Sequence, residues 1–310
     1  MNLDNQNLTQ VSQELTTLRD YIRWGYSRFN AANLYYGHGT DNSWDEAVHL
    51  ILSALHLPPD ISPDLMSSTL TLVERRNLCE LIFRRIDERI PAAYLTKEAW
   101  FAGLPFHVDE RVIIPRSPLG ELIEKGFSPW LDNHTPHHIL DLCTGSGCIA
   151  IACAVEFAES QIDAVDISAD ALDVAKSNVV RHNLESQVNL IQSDLYQNVK
   201  GKYDLIISNP PYVSHQEYDA LPQEYSHEPS LALKANDDGL ELAKRILKNA
   251  GEHLYSEGVL IVEVGNSQEA LMENYPEVPF LWLDFERGGD GVFLLTAEQV
   301  KQYQSQFDKN

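Results

Sequence analysis

The chain has 310 residues, 44% of them hydrophobic and 22% charged, and a formal net charge of −23. Length and composition are typical of a soluble globular protein of two domains, with a core that needs no disulfides. Residues 101–310 carry 33 Asp/Glu against 14 Lys/Arg, a balance that disfavours direct contact with DNA phosphates. Such an acidic body would attract a basic protein or a cationic cofactor, unless the acidity serves solubility alone.

Neither export nor membrane insertion is predicted. The first residues are polar and lack the basic and then apolar regions of a signal peptide. No apolar run approaches the ~18 residues of a membrane span. The cysteines have neither CxxC pairing nor zinc-ligand spacing, so we expect reduced thiols in a cytoplasmic protein and no metal site. They are Cys79, Cys143, Cys148 and Cys153.

Residues 1–91 are predicted to form a helical domain that selects the substrate. Apolar residues recur at helical spacing over residues 8–36. Two Ser/Thr-to-Glu pairs with capping-box spacing are expected to open further helices. These pairs are Ser43 with Glu46, and Thr71 with Glu74. The glycine-rich stretch at 35–39 between the first two helices either touches a partner or forms a turn with packed aromatics.

The last helix of this domain carries five arginines. We expect them to form a solvated face paired with neighbouring acids, in preference to an RNA contact. They are Arg75, Arg76, Arg84, Arg85 and Arg89.

Residues 92–118 are predicted to link two domains through a β-hairpin. Short β-prone runs at 100–101, 106–108 and 112–114 surround Gly103 and Pro105, which favour turns. A helix at 119–125 then opens the second domain, residues 119–310.

In residues 119–310 predicted strands alternate with helices, which indicates an α/β fold with a doubly wound parallel sheet. The last two strands are joined by the short Gly-rich segment 287–291, so at least one of them should be antiparallel. The predicted strands are 139–143, 162–167, 188–193, 203–208, 259–264, 280–285 and 292–295. The predicted helices between them are 149–157, 169–182, 239–254 and 268–275.

A stiff corner follows the buried strand 203–208. Asn209, Pro210, Pro211 and Tyr212 stand there, and consecutive prolines can neither donate backbone hydrogen bonds nor continue a strand. At the carboxyl end of a parallel sheet, such a corner could hold a planar NH2 group. Asn209 Oδ1 and the Pro210 carbonyl would accept its hydrogens while Tyr212 stacks on its face. The alternative is a turn that only ends the strand.

Residues 141–147, after the first strand, form a glycine loop that opens a helix. Its glycines, Gly145 and Gly147, would let a ligand approach the backbone. The next strand ends in Asp166, placed to accept hydrogen bonds from ribose hydroxyls. The spacing also fits a dinucleotide fingerprint, or a tight turn without ligand. Asp194, after the third strand, could meet an adenine amino group.

Together the glycine loop, these acids and the corner resemble class I S-adenosylmethionine-dependent methyltransferases. Further motifs are similar to those of HemK-type protein-glutamine methyltransferases. These motifs are Ile90-Pro91-x-x-Tyr94-Leu95, Ile114-Pro115-Arg116, Asp141-x-x-Thr144-Gly145-Ser146-Gly147 and Glu228-Pro229-x-Leu231-Ala232-Leu233. The similarity covers nearly the whole chain.

The resemblance implies a Rossmann-like, seven-stranded sheet with an antiparallel final strand, and S-adenosylmethionine as cofactor. The residues implied to bind the cofactor are Asp141, Thr144, Gly145, Gly147, Asp166, Asp194, Leu195 and Asn209. The catalytic corner would be Asn209, Pro210, Pro211 and Tyr212, with no metal. Glu228 and Glu263 receive no role from the sequence.

Two departures discriminate within the family. Cys143 replaces the first glycine of the loop, where it could not adopt left-handed φ angles cheaply, and Leu195 stands where release-factor enzymes have an aromatic residue. Together with the 36–42 and 115–118 segments, they resemble the family members that act on the ribosome. That resemblance implies methylation of a glutamine in a basic protein, the third of the large ribosomal subunit.

Other functions fit parts of the same pattern. The same chemistry could act on a release factor, or on adenine in DNA, which would call for a basic recognition segment. A nicotinamide oxidoreductase would need a Tyr-x-x-x-Lys pair or a placed His at the strand ends, and we find neither. Motifs alone leave a non-catalytic binding module open.

Overall fold

The computed structural model describes residues 5–132, 135–235 and 238–309, without the side chains of 5–7. The chain divides into two units. One comprises Met1–Ala99 and the separate segment Pro222–His227. The other comprises Trp100–Leu221 and Glu228–Asn310.

The first unit is helical, as its sequence pattern predicts. The apolar pattern over 8–36 is split into two helices, because Thr17 and Asp20 form a reciprocal capping box that starts a new helix. Thr71 and Glu74 form the predicted capping box. The helices are α1 (Asn5–Glu14), α2 (Leu18–Ala32), α3 (Ser43–Ala54), α4 (Leu72–Asp87) and α5 (Ala92–Thr96).

The predicted capping role of Ser43 is wrong. Asn42 caps α3 instead, because its side chain accepts hydrogen bonds from the backbone N–H groups of Trp44 and Asp45. Ser43 donates its hydroxyl to Asn30 at 2.8 Å, and Glu46 is buried within the unit. The helix cap lies one residue earlier than predicted. Glu46 is therefore not part of a capping box and is instead a buried acid.

Arg85 does not lie on a solvated face, so that prediction is wrong for this residue. It lies three residues after Ile82 and seven after Leu78, on the buried stripe of α4, and is 1% exposed. Its guanidinium pairs with two buried carboxylates, those of Glu46 and Glu224. Arg84, by contrast, makes a surface pair with Glu88 at 3.2 Å.

A two-stranded sheet follows these helices along the chain. It consists of β1 (Glu98–Phe101) and β2 (Leu104–His107), which confirms the predicted hairpin. The third β-prone run, at 112–114, belongs to no strand. The Ile114 N–H donates instead to the side chain of Glu228 at 3.0 Å.

The second unit contains a seven-stranded sheet. Its strands are β3 (His138–Leu142), β4 (Gln161–Asp166), β5 (Val188–Gln192), β6 (Tyr203–Ser208), β7 (Leu254–Glu263), β8 (Leu281–Trp282) and β9 (Val292–Thr296). Their order in the sheet is β5-β4-β3-β6-β7-β9-β8. Strand β9 is antiparallel to both neighbours, and the other pairings are parallel, which confirms the predicted fold class.

Helices cover this sheet and close its core. Fully buried residues of β3, β6 and β7, such as Leu140, Ile206 and Leu260, pack with Ile246 and Phe307 of the covering helices. The helices are α6 (Leu119–Glu124), α7 (Cys148–Glu156), α8 (Ala169–Arg181), α9 (His215–Asp219), α10 (Glu241–His253), α11 (Gln268–Asn274) and α12 (Ala297–Phe307). No helix in the described ranges is both long and apolar enough to cross a membrane.

Two glycines in the segment before β9 have the same left-handed backbone but differ in how closely other atoms surround them. Gly288 (φ +84°) and Gly291 (φ +72°) are both left-handed. A Cβ on Gly291 would lie 2.1 Å from the carbonyl oxygen of Gly265, whereas a Cβ on Gly288 would meet nothing within 4 Å.

We therefore expect Gly291→Ala to lower the free energy of unfolding by about 1–3 kcal/mol more than Gly288→Ala, the usual cost of overpacking. The matched variant carries the same left-handed strain, so their difference measures the clash with Gly265. Urea unfolding of both variants measures it. Equal losses would show that the close contact between Gly291 and Gly265 does not constrain this end of the sheet.

Candidate active site

The candidate site lies at one edge of the sheet, where three neighbouring strands end. Leu142 of β3 is in register with Val165 of β4 on one side and with Ser208 of β6 on the other. The residues that follow in each strand therefore begin neighbouring loops at the carboxyl ends of parallel strands. This edge is where open α/β sheets bind ligands.

The loop after β3 is left-handed at three positions. Cys143, Gly145 and Gly147 have φ angles of 61°, 55° and 80°. The cysteine therefore takes a conformation that costs a non-glycine residue roughly 1–2 kcal/mol. A Cβ on Gly145 would meet only Ile113, at 4.0 Å, whereas one on Gly147 would lie 3.2 Å from Ala175. Gly145 thus leaves the backbone open, and Gly147 lets α7 pack closely on α8.

Asp141 holds this loop from beneath. Its Oδ2 accepts hydrogen bonds from the Thr144 hydroxyl and from the Ala150 N–H at 3.2 Å. Its Oδ1 is buried and has no partner within the described residues. Burial raises the pKa of Asp141 to about 7. The carboxyl group therefore organises the loop and also offers an unused acceptor.

Asp166, at the end of β4, contacts the same loop. Its Oδ2 accepts from the Gly145 N–H at 2.9 Å, and its Oδ1 accepts from the Ser168 N–H at 2.9 Å. Burial raises the pKa of this carboxyl group as well. The next residue, Ile167, is 52% exposed and was missed by sequence reasoning. An apolar residue directly after the strand-end acid is the signal that could have found it.

Asp194 and Leu195 follow β5, the strand beyond β4. Asp194 Oδ1 lies 2.7 Å from the guanidinium of Arg245 on α10. Leu195 has a φ of 49° and packs its side chain into the core beside Tyr196. These two residues are thus held by α10 and by the core.

The corner after β6 places Asn209 at the same edge as the glycine loop. Ser208 anchors it by donating to the Leu142 carbonyl at 2.8 Å. Asn209 is partly exposed, and within the described part of the chain its side-chain amide has no hydrogen-bond partner. Pro210 is buried and Pro211 is partly buried. The corner therefore presents an unengaged amide on a rigid turn.

Tyr212 is fixed at both ends. Its hydroxyl donates to Glu263 Oε1 at 2.8 Å, and its carbonyl accepts from the Ser267 hydroxyl at 3.3 Å. Gly265 lies directly beside the ring, since a Cβ there would be 2.5 Å from it. The ring orientation is consequently set by the end of β7.

Two buried acids to which the sequence assigned no role hold the segment before α6. Glu263 accepts from Ser117 as well as Tyr212, and burial raises its pKa. Glu228 accepts two bonds from Arg116, at 2.7 and 2.8 Å. The Ile-Pro-Arg and Glu-Pro motifs of the sequence are thus partners in one ion pair. In the described ranges, no cluster of three or more His, Cys, Asp or Glu residues could hold a metal ion.

Known proteins resemble the chain at two levels. A family model described as the methyltransferase small domain matches residues 127–236. The chain is 51% identical over 306 residues to "Ribosomal protein uL3 glutamine methyltransferase" of Francisella tularensis subsp. tularensis (strain SCHU S4 / Schu 4), which covers 98% of each chain. It is also 51% identical over 293 residues to the protein of that name from Neisseria gonorrhoeae (strain ATCC 700825 / FA 1090), covering 94% of this chain and 98% of the relative.

Among solved structures, the chain resembles the hMettl16 catalytic domain in complex with MAT2A 3'UTR hairpin 6. The TM-score is 0.50 at 18% identity, over 77% of this chain and 87% of that chain. At this identity the likeness supports the fold alone.

The pKa of Asp141 leads to a pH-dependent stability. The pKa is about 7 in the folded protein against an ordinary value of 3.8, so the folded state binds this proton more tightly than the unfolded chain. The stabilisation is complete below about pH 3.8 and is lost as the pH rises through about 7. We expect the unfolding free energy of the protein, minus that of Asp141→Asn, to fall across this window.

Urea unfolding at a series of pH values measures this difference. Asp132→Asn, at an exposed position, controls for the loss of one acidic residue and should show no such fall. A difference that stays constant over the window would contradict the assigned protonation of Asp141.

Proposed function

Because the chain belongs to the family of ribosomal protein uL3 glutamine methyltransferases, we propose that it methylates the side-chain amide nitrogen of a glutamine in uL3. The observation that carries the proposal is the unengaged amide of Asn209 on a rigid corner, beside the glycine loop of a methyltransferase fold. A relative named for this activity is 51% identical over nearly the whole chain. This similarity favours the ribosomal protein as substrate over a release factor or adenine in DNA.

We infer that S-adenosylmethionine is the cofactor, since the edge of the sheet suits a cationic nucleoside. The open side of Gly145 permits close approach to the backbone, and the unused Asp141 Oδ1 suits a positively charged group. Asp166 would accept hydrogen bonds from the ribose hydroxyls. When bound, the cofactor supplies an electrophilic methyl group on a sulfonium. The Thr144–Gly147 backbone and Asn209 would complete its site.

The adenine end is assigned to the neighbouring loops. Ile167 offers an exposed apolar side chain directly after Asp166, suited to the face of a base. The Asp194 carboxylate would accept from the adenine amino group, and Arg245 would hold it in place. Leu195 would support that turn from the core.

The chemistry required of the protein is orientation of a weak nucleophile. An amide nitrogen shares its lone pair with the carbonyl, the resonance that gives a peptide bond its ~18–20 kcal/mol rotation barrier. Asn209 Oδ1 and the Pro210 carbonyl would accept the two N–H groups of the glutamine and aim its nitrogen. Positive charge would grow on that nitrogen as the methyl group leaves the sulfonium, which departs as a neutral thioether, so these acceptors would stabilise the transition state more than the ground state. The alkylated nitrogen would then release one proton to water, which leaves a neutral methylamide.

Tyr212 would hold the plane of the glutamine amide. Its hydroxyl is bound to Glu263 and its ring lies against Gly265, so the ring is already oriented. Pro211 stiffens the turn between this ring and Asn209. Residues 1–91 are proposed to select the protein substrate, and the free cysteines suit a cytoplasmic location.

Asn209→Ala should lower the turnover rate about 10²–10³-fold, as loss of one preorganised partner does at an oxyanion hole. Binding of S-adenosylmethionine should weaken much less than turnover falls, because Asn209 is only one of several residues that would hold the cofactor. Asp166→Ala is the complementary variant, and it should weaken cofactor binding instead. Calorimetry and labelled-methyl transfer measure the two properties. Near-normal turnover by Asn209→Ala would remove Asn209 from its assigned role.

Purified uL3 should be labelled by the enzyme and S-adenosylmethionine, whereas a release factor should gain little label. The rate at limiting substrate should fall as salt rises, because a net charge of −23 would steer a basic protein and salt screens charges beyond about 8 Å. Turnover at saturating substrate controls for salt effects on the chemistry. Preferential labelling of a release factor would overturn the substrate but leave the chemistry intact.

A further inference from the structure

The chain between the corner and Glu228 makes an excursion that the proposed chemistry does not use. We call residues 213–227 the strap. Its first residue, Val213, is held in the second unit. The Val213 N–H donates to the Leu233 carbonyl at 3.0 Å, and the Val213 carbonyl accepts from the Ala235 N–H at 2.8 Å. Glu228, just after its end, is held by Ile114 and Arg116. Residues 222–227, however, belong to the first unit.

A buried carboxylate fastens the strap to that unit. Glu224 is 2% exposed, and its Oε1 accepts from the Tyr35 N–H at 3.0 Å. The guanidinium groups of Arg85 and Arg89 each lie 3.4 Å from the same oxygen. With Glu46, which pairs with Arg85, two acids and two arginines balance their charges. We call Glu46, Arg85, Arg89 and Glu224 the clip.

The clip keeps Glu224 ionised. Burial alone would raise the pKa of Glu224, but the Tyr35 N–H and the two arginines outweigh burial and lower it. Replacing a buried ion pair with apolar residues often costs no stability, whereas removing one partner leaves an unpaired buried charge. We therefore expect the clip to favour one specific conformation of the strap more than it adds to overall stability.

Aromatic contacts hold the residues beside Glu224. The Tyr225 ring lies 5.6 Å from that of Tyr35 and 4.5 Å from that of His38, centroid to centroid. His227 Nε2 lies 2.9 Å from the Glu88 carbonyl. The 35–39 stretch, for which sequence left open a partner contact or a packed turn, thus receives the strap.

Between its anchors, the strap exposes mostly polar residues to solvent. A capping box between Ser214 and Glu217 forms the short helix α9. The exposed residues are His215, Gln216, Asp219, Ala220 and Gln223. Because consecutive Cα atoms are about 3.8 Å apart, the first strap residues lie within a few residues' reach of Tyr212. A glutamine held on the corner would therefore lie close to the first strap residues.

We propose that Glu224 is a positioning residue for the protein substrate, holding the strap in the conformation that receives the chain flanking the target glutamine. This inference rests on the proposed function. It assigns to part of the first unit a task in substrate recognition that neither the cofactor site nor Asn209 performs.

The double variant Glu224→Gln/Arg89→Gln tests the role while keeping the clip neutral, since Glu46 and Arg85 remain paired. The amide oxygen introduced by Glu224→Gln can still accept from the Tyr35 N–H, so the fold should persist. Arg89→Gln alone keeps Glu224 bound to Tyr35 and Arg85 but removes the bonds of Arg89 to the Ala32 and Asn33 carbonyls at the end of α2, so the difference between it and the double variant isolates Glu224. Asp132→Asn controls for the loss of an exposed acid outside the strap.

Three measurements separate positioning from general stability: amide hydrogen exchange of residues 213–227, calorimetry with S-adenosylmethionine, and initial rates against uL3. In the double variant we expect strap exchange to rise about tenfold or more, as loss of charged hydrogen bonds implies, and KM for the protein to rise about tenfold. The kcat and the cofactor Kd should stay within about twofold of wild type, and Asp132→Asn should match wild type. Strap exchange and KM should be higher in the double variant than in Arg89→Gln alone.

The outcomes also separate this role from the proposed function. Unchanged strap exchange in the double variant would overturn the clip, and increased exchange with unchanged KM would overturn the positioning role. A fall in kcat alone would likewise contradict it. If the wild-type enzyme does not label uL3, the proposed substrate is wrong. The exchange data then still test whether the clip holds the strap. The positioning role is tested by comparing KM between wild type and the double variant on whichever protein is labelled.

Discussion

The candidate site depends on one buried carboxylate at the end of β7. Glu263 accepts hydrogen bonds from Tyr212 of the corner and from Ser117 of the segment before α6. The ring of Tyr212 has no freedom on its other side, because Gly265 lies against it and Gly291 lies against Gly265. The two prolines end the strand, whereas these contacts orient the ring that follows them.

Other buried acids hold neighbouring segments of the chain in the same way. Asp141 ties the glycine loop to the start of α7, Glu228 ties the Ile-Pro-Arg segment, and Glu224 ties the strap. Each is an acid whose oxygens accept backbone or side-chain hydrogens from residues outside its own element. Buried polar groups of this kind cost free energy unless they are paired, so they define one conformation where apolar contacts would allow several. A protein with a net charge of −23 thus uses part of its acid content internally.

The arrangement explains how one unit could affect chemistry carried by the other. The corner, the glycine loop and Asp166 all belong to the second unit, and the sheet register alone brings them together. The strap leaves this unit directly after the corner and is held by the first unit before it returns. Under the proposed role of Glu224, the helical unit would influence methyl transfer through the covalent chain, without contributing a reacting group.

Local sequence signals determined the order of elements, the glycine loop, the Thr71 cap and the corner, because strand alternation, proline geometry and capping act over a few residues. Tertiary structure alone decided the rest. Arg85 has the residue type of a surface helix, and only the packing of α4 shows that it is buried. Glu263 and Ser117 are 146 residues apart, and Glu228 and Arg116 are 112 apart. An acidic residue gives the same local sequence signal whether its carboxylate is solvated or pairs with a distant residue. Such long-range pairs can therefore be identified only in the folded structure.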